Sequence, residues 1–90
     1  MSCVFKYPLE IADWVCVTMP RGSQPISVQM QHGLLCLWAH VPDETATPVT
    51  HHFRIAGTGH DLGSNVGRHI GSVQMAGGDL VFHVFAEAGQ

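Results

Sequence analysis

Cationic side chains are scarce. Four Lys and Arg in 90 residues are too few for the dense basic patch that nucleic-acid binders use, so strong direct nucleic-acid binding is not expected. Charge of both signs is thin. Only 12% of residues are charged while 46% are hydrophobic, the reverse of a disordered composition. No segment approaches ~20 uninterrupted apolar residues, which excludes a membrane-spanning helix. The first residues, MSCVFKYPLE, lack the cationic start and the apolar run of a signal peptide. The expected address is the cytoplasm, without membrane contact.

Familiar chemical signatures are also missing. The three cysteines, Cys3, Cys16 and Cys36, form no CxxC pair, which removes zinc ribbons and thioredoxin-type motifs. Their odd number argues against a secreted disulfide scaffold, and buried thiols in a reducing compartment are expected. There is no HxH, HExxH, GxSxG, GxGxxG or GxxxxGK[ST], so no local zinc, nucleophile-elbow or nucleotide fingerprint exists. No stretch of ten or more residues carries apolar side chains at helical spacing.

What is present is strand grammar: short apolar runs separated by turn residues. Strands are predicted over Cys3–Leu9, Trp14–Met19, Pro25–Gln31, Leu34–Val41, Val49–Gly57, His69–Met75 and Leu80–Ala86. In the third, Ile26, Val28 and Met30 alternate with Ser27, Gln29 and Gln31, which predicts that the first set faces inward. His32-Gly33 predicts a tight hairpin turn into the fourth strand. Pro42–Pro48 is polar and reads as a mobile tip. Glycine-rich 58–67 is irregular, with room for one short helical turn around Asp61–Val66. The tetrapeptide Ser-Val-Gln-Met occurs at residues 27–30 and 72–75, and predicts two equivalent strands on opposite sides of a pseudo-symmetric sheet. The expected fold is all-β: one small domain over 1–90, an antiparallel β-sandwich or barrel of six to seven strands with at most one short helical turn.

A chain of this length buries about 60–65% of its unfolded surface, enough for one modest core but not for a deep cavity behind its own walls. Self-association answers both the small core and the thin charge. The last strand strengthens that expectation. Leu80, Phe82 and Val84 share one face, and Val81 and Phe85 the other. A strand apolar on both faces is either central in a sandwich or backs a second interface.

Histidine is the unusual residue, at positions 32, 40, 51, 52, 60, 69 and 83. At pH 7 an ordinary imidazole is roughly a quarter protonated, which brings the formal charge of −3 close to neutral. A metal site would have to be assembled from distant strands, for example by His40, His52 and His83; neither a metal nor another cofactor is expected. Cys16 and Cys36 lie in apolar runs, where thiols are usually inert, and Asp43-Glu44 reads as a solvated tip. The one segment suggestive of ligand binding is Arg54-Ile55-Ala56-Gly57-Thr58-Gly59-His60-Asp61. Glycines let backbone N–H groups turn toward an anion, and arginine grips phosphate bidentately. The same segment also reads as a glycine bulge at a strand end, with Asp61 closing an Asx-turn. On the first reading Arg54, Thr58, Gly59, His60 and Arg68 bind a phosphate or carboxylate, and Trp14 or Trp38 stacks a base.

Taken together, Phe5-Lys6-Tyr7-Pro8-Leu9, Met19-Pro20-x-Gly22, Ser27-Val28-Gln29-x-Gln31-x-Gly33, Leu37-Trp38-Ala39, Phe53-Arg54-Ile55-x-Gly57-Thr58-Gly59-His60, Ile70-Gly71 and Leu80 to Phe85 resemble a family of small uncharacterised proteins encoded by bacteriophages and prophages. The resemblance covers nearly the whole chain and is weakest over Leu62–Arg68. It implies a phage origin and a complete protein, with no known activity. By analogy with other small phage accessory proteins, the expected function is non-enzymatic: inhibition of a host defence component, as anti-CRISPR proteins do, by binding a host protein complex. The alternatives are an oligomeric protein that sequesters a nucleotide immune signal, and a small histidine-dependent hydrolase.

Overall fold

A computed structural model describes residues 1–90. It contains seven strands: β1 (Cys3–Leu9), β2 (Trp14–Pro20), β3 (Gln24–Gln31), β4 (Leu34–Val41), β5 (Pro48–Gly57), β6 (Val66–Met75) and β7 (Leu80–Glu87). They form two antiparallel sheets, a three-stranded one ordered β1-β4-β3 and a four-stranded one ordered β2-β5-β7-β6. The expected all-β fold is present. The helical turn expected near Asp61–Val66 is absent, and the one 3-10 turn is Ala76–Gly78, between β6 and β7. Glycines with positive φ at 77 and 78 let the chain reverse there, whereas 58–65 is held open by side-chain bonds described below.

Period-two alternation places one side of each sheet on a shared core. Leu9, Leu35, Leu37, Ala39 and Val28 from the first sheet meet Val17, Met19, Phe53, Ile55, Val73, Val84 and Ala86 from the second. The β3–β4 hairpin turns at His32 (φ 51°) and Gly33 (φ 79°). Two successive positive φ values define the type I′ geometry that matches strand twist. Glycine takes it freely and histidine tolerates it better than most residues.

Ile26 departs from the expected alternation. A register shift between Pro25 and Ser27 inserts it as an extra residue, and it is 53% exposed while Val28 is 5% exposed. A bulge of this kind leaves one residue unpaired and restarts the alternation. Cys16 also departs from expectation: only Cys36 is buried, and Cys16 is exposed. It lies on the outward side of β2, between inward Val15 and Val17. The Pro42–Pro48 segment is a closed turn. Asp43 accepts bonds from Thr45 N at 3.0 Å and Thr45 Oγ1 at 2.6 Å, which hold its carboxyl below the ordinary pKa.

The repeated tetrapeptide falls on β3 and β6, the edge strands of the two sheets. In both copies Val is buried and Gln is exposed. These edges abut: a Cβ at Gly71 would lie 2.9 Å from Val28 Cγ2, and Arg68 Nη2 donates to Pro25 O at 3.3 Å. The sandwich is therefore sealed along its β3/β6 side. Its β1/β2 side carries an open depression of about 350 Å³ lined by Pro8, Leu9, Trp14, Val15 and Cys16 among others.

Candidate functional site

The residues singled out in the sequence do not converge on one ligand. Arg54 is buried, at 8% exposure, and its guanidinium is engaged by the protein itself. Nε donates to Leu62 O (3.2 Å), Nη1 to Asp13 O (3.1 Å) and Ile55 O (2.7 Å), and Nη2 to Asp61 O (2.8 Å). Arginine carries five donors; four go to carbonyls, and two of these, on Asp61 and Leu62, strap the segment after β5 onto the sheet. Arg68 is exposed and donates one bond, to Pro25 O of the other sheet. Gly59 (φ 88°) belongs to a turn closed by His60 N donating to Gly57 O at 3.1 Å, and the His60 ring lies against Gly57. Asp61 Oδ1 accepts from Gly63 N at 2.8 Å, the Asx-turn read from the sequence. Trp14 lies on the outward side of the four-stranded sheet and Trp38 on that of the three-stranded sheet, so the two indoles do not share a site.

Thr58 belongs to a different arrangement, a line of hydroxyls and imidazoles on the outer face of the four-stranded sheet. Thr58 Oγ1 and His83 Nε2 are 2.8 Å apart, His83 Nδ1 and Ser72 Oγ 2.7 Å, and Ser72 Oγ and His69 Nε2 3.1 Å. Ser72 and His83 are direct cross-strand partners, and a register shift between His69 and Gly71 inserts Ile70. Without that bulge, residues three apart would face opposite sides; with it, both His69 and Ser72 face outward. The His69 ring packs on Phe85 at 5.1 Å between centroids. Register then continues from Phe85 to Arg54 and from Arg54 to Trp14, so buried Arg54, covered by Asp61 and Leu62, separates Phe85 from Trp14.

Each neutral imidazole offers one donor and one acceptor, so all three bonds can run from Thr58 toward His69 or all in reverse. Both directions satisfy every group in the line. The face can therefore present either polarity to a partner with every bond in the line kept. Ser72, His83 and His69 were not legible as a group, because their convergence depends on strand order and on the bulge.

The remaining histidines are dispersed. His40 is on the three-stranded sheet, bonded to Ser2 Oγ at 2.6 Å, while His52 and His83 are on the other sheet. No three His, Cys, Asp or Glu side chains gather as metal ligands would. His52 Nδ1 lies 3.7 Å from Glu87 Oε2. His51 stacks on Phe53 at 6.3 Å, and burial, followed by the nearby His52, pushes its pKa below the ordinary value. Burial, then Cys3, raises that of Tyr7.

Fold and face together define a small antiparallel β-sandwich with a patterned, solvent-facing sheet. No helix is long and apolar enough to cross a membrane. The chain belongs to the family described as "Domain of unknown function (DUF7352)", which matches residues 1–90. No curated protein and no solved structure matches it.

Proposed function

We propose that the protein is a non-enzymatic binding protein that works by covering the surface of a protein partner with the outer face of β2-β5-β7-β6. The observation that carries this reading is the shape of that face: the Thr58–His83–Ser72–His69 line lies exposed on the outer side of the sheet beside Phe85. Small-molecule sites are concave and enclose most of their ligand, whereas protein interfaces are broad, with aromatic anchors and a polar surround. The depressions on this molecule hold about 340 to 480 Å³ and open to solvent. The resemblance to bacteriophage and prophage proteins supplies the setting. The protein is a phage accessory factor acting in the host cytoplasm, its partner is a component of host defence, and it acts as a homo-oligomer.

The test compares partners retained from bacterial lysate by the wild-type protein, by Ser72→Glu on the proposed face, and by Gln29→Glu on the opposite sheet. Native mass spectrometry reads the complexes. The reading expects one protein complex retained by wild type and Gln29→Glu and lost with Ser72→Glu. Equal retention by all three overturns it. A nucleotide released from the purified protein would favour sequestration of a signal instead, and ester turnover abolished by Ser72→Ala would favour a hydrolase.

A further inference from the structure

Two sheets have four edges, and an open sheet edge is a hazard that proteins blunt with charge, proline or a cover. Three of the four are managed here. β3 and β6 close on each other through Gly71 and Val28. β1 carries Lys6 at its centre and Pro8 near its end. β2 is the exception. Trp14–Met19 (WVCVTM) has no charge and no proline before Pro20, and it is the outermost strand of its sheet.

The hydrogen-bonding pattern shows what this edge offers. Ile55 N donates to Asp13 O and Arg21 N to Thr47 O. In an antiparallel ladder bonded and non-bonded pairs alternate, so the odd-numbered residues from 13 to 21 bond to β5. The N–H and C=O groups of Trp14, Cys16 and Thr18 therefore point out of the sheet.

We infer that β2 pairs antiparallel with β2 of a second copy about a two-fold axis at Cys16, joining the two four-stranded sheets into one of eight strands. In this register Cys16 lies opposite Cys16 of the second copy, and Trp14 opposite its Thr18. All three outward donors and all three outward acceptors of each strand are then satisfied. The strand ends also fit. Asp13 stands at one end and Arg21 at the other, so antiparallel pairing brings each Asp13 near the second copy's Arg21, with no charge between. An isologous contact closes the pair and removes the edge from both chains. It also places the two outer faces side by side as one surface. The inference names an interface for the oligomer proposed above; it needs no host partner, so its test is made on the purified protein alone.

The Cβ atoms of a hydrogen-bonded antiparallel pair lie about 5.5 Å apart, wider than the ~3.5–4.5 Å of a disulfide but within reach of a short bis-maleimide. That reagent is expected to give a covalent dimer with wild type and Cys3→Ser, and none with Cys16→Ser. Sedimentation of reduced protein is expected to show a dimer. Cys16→Lys sets like charges opposite each other and raises the dissociation constant about tenfold or more. Circular dichroism checks that the variant is folded. Should it fail to fold, a charge exchange keeps the test sharp: Asp13→Lys and Arg21→Asp each weaken the dimer, and the two together in one chain restore it. A monomeric wild type, a crosslink that survives Cys16→Ser, or singles and double that dimerise equally would overturn the inference. A wild-type protein that dimerises but retains no lysate partner would count against the binding reading alone.

Discussion

Arg54→Ala removes the group that fastens Asp61 and Leu62 to the sheet, and the structure sets the size of the loss. The guanidinium makes four hydrogen bonds to carbonyls. Bonds to a charged group contribute about 1.5–3 kcal/mol each. Three of the four carbonyls belong to exposed Asp13, Asp61 and Leu62, where water can replace the lost donor, while that of Ile55 belongs to a buried residue. The net loss is then about 3 kcal/mol. A domain of this size has about 5–13 kcal/mol in total, so the variant remains folded but melts about 12–24 °C lower. The ion pair contributes little to this. Asp13 Oδ1 is 3.5 Å from Nη1 and its side chain is 93% exposed, so Asp13→Asn changes stability by about 0.5 kcal/mol or less. Urea titrations of both variants measure the pair of values, and hydrogen exchange reads the loosening at 61–63. An Arg54→Ala loss below about 1 kcal/mol, or an equal loss with Asp13→Asn, would refute the strap.

Other consequences are direct. Gly71→Ala forces a methyl to 2.9 Å from Val28 Cγ2, on a stiff β-branched side chain, and is expected to destabilise by about 1–3 kcal/mol in urea. Leu37→Ala, at a fully buried position, is expected to cost about 2–5 kcal/mol by the same measurement. The His51 pKa is held below its ordinary 6.5. The unfolded chain therefore takes up that proton first as pH falls, and the contribution is full above about pH 6.5 and declines below it. His51→Gln flattens the wild-type profile in that range, and parallel slopes would contradict the assignment. Asp43 is shifted down by Thr45. Its contribution is present above about pH 4 and falls away as pH drops through the lowered value, so Thr45→Ala makes the acid limb less steep.

The strands were legible because each is a short alternating or continuous apolar run whose ends carry turn residues. β1 and β4 begin and end where the pattern puts them, and His32-Gly33 forms the turn its residues require. Asp61 closed its Asx-turn for the same local reason. What was not legible involves a second strand. Ile26 is pushed out, and His69 is brought round to Ser72, by bulges that exist only relative to a partner strand. Arg54 read as a free cation beside glycines, because nothing in the sequence shows that four carbonyls will surround it.

The sequence by itself determined that this chain is a small all-β domain, since alternation and turn chemistry are local properties of the backbone. It also set a near-neutral surface and placed the hairpin. Only the tertiary structure decided which residues meet: that the β3 and β6 edges seal against each other while β2 stays open, that Arg54 serves the fold, and that Thr58, His83, Ser72 and His69 form one line. Those outcomes depend on strand order, and strand order is fixed by burial of the shared core, not by any segment alone.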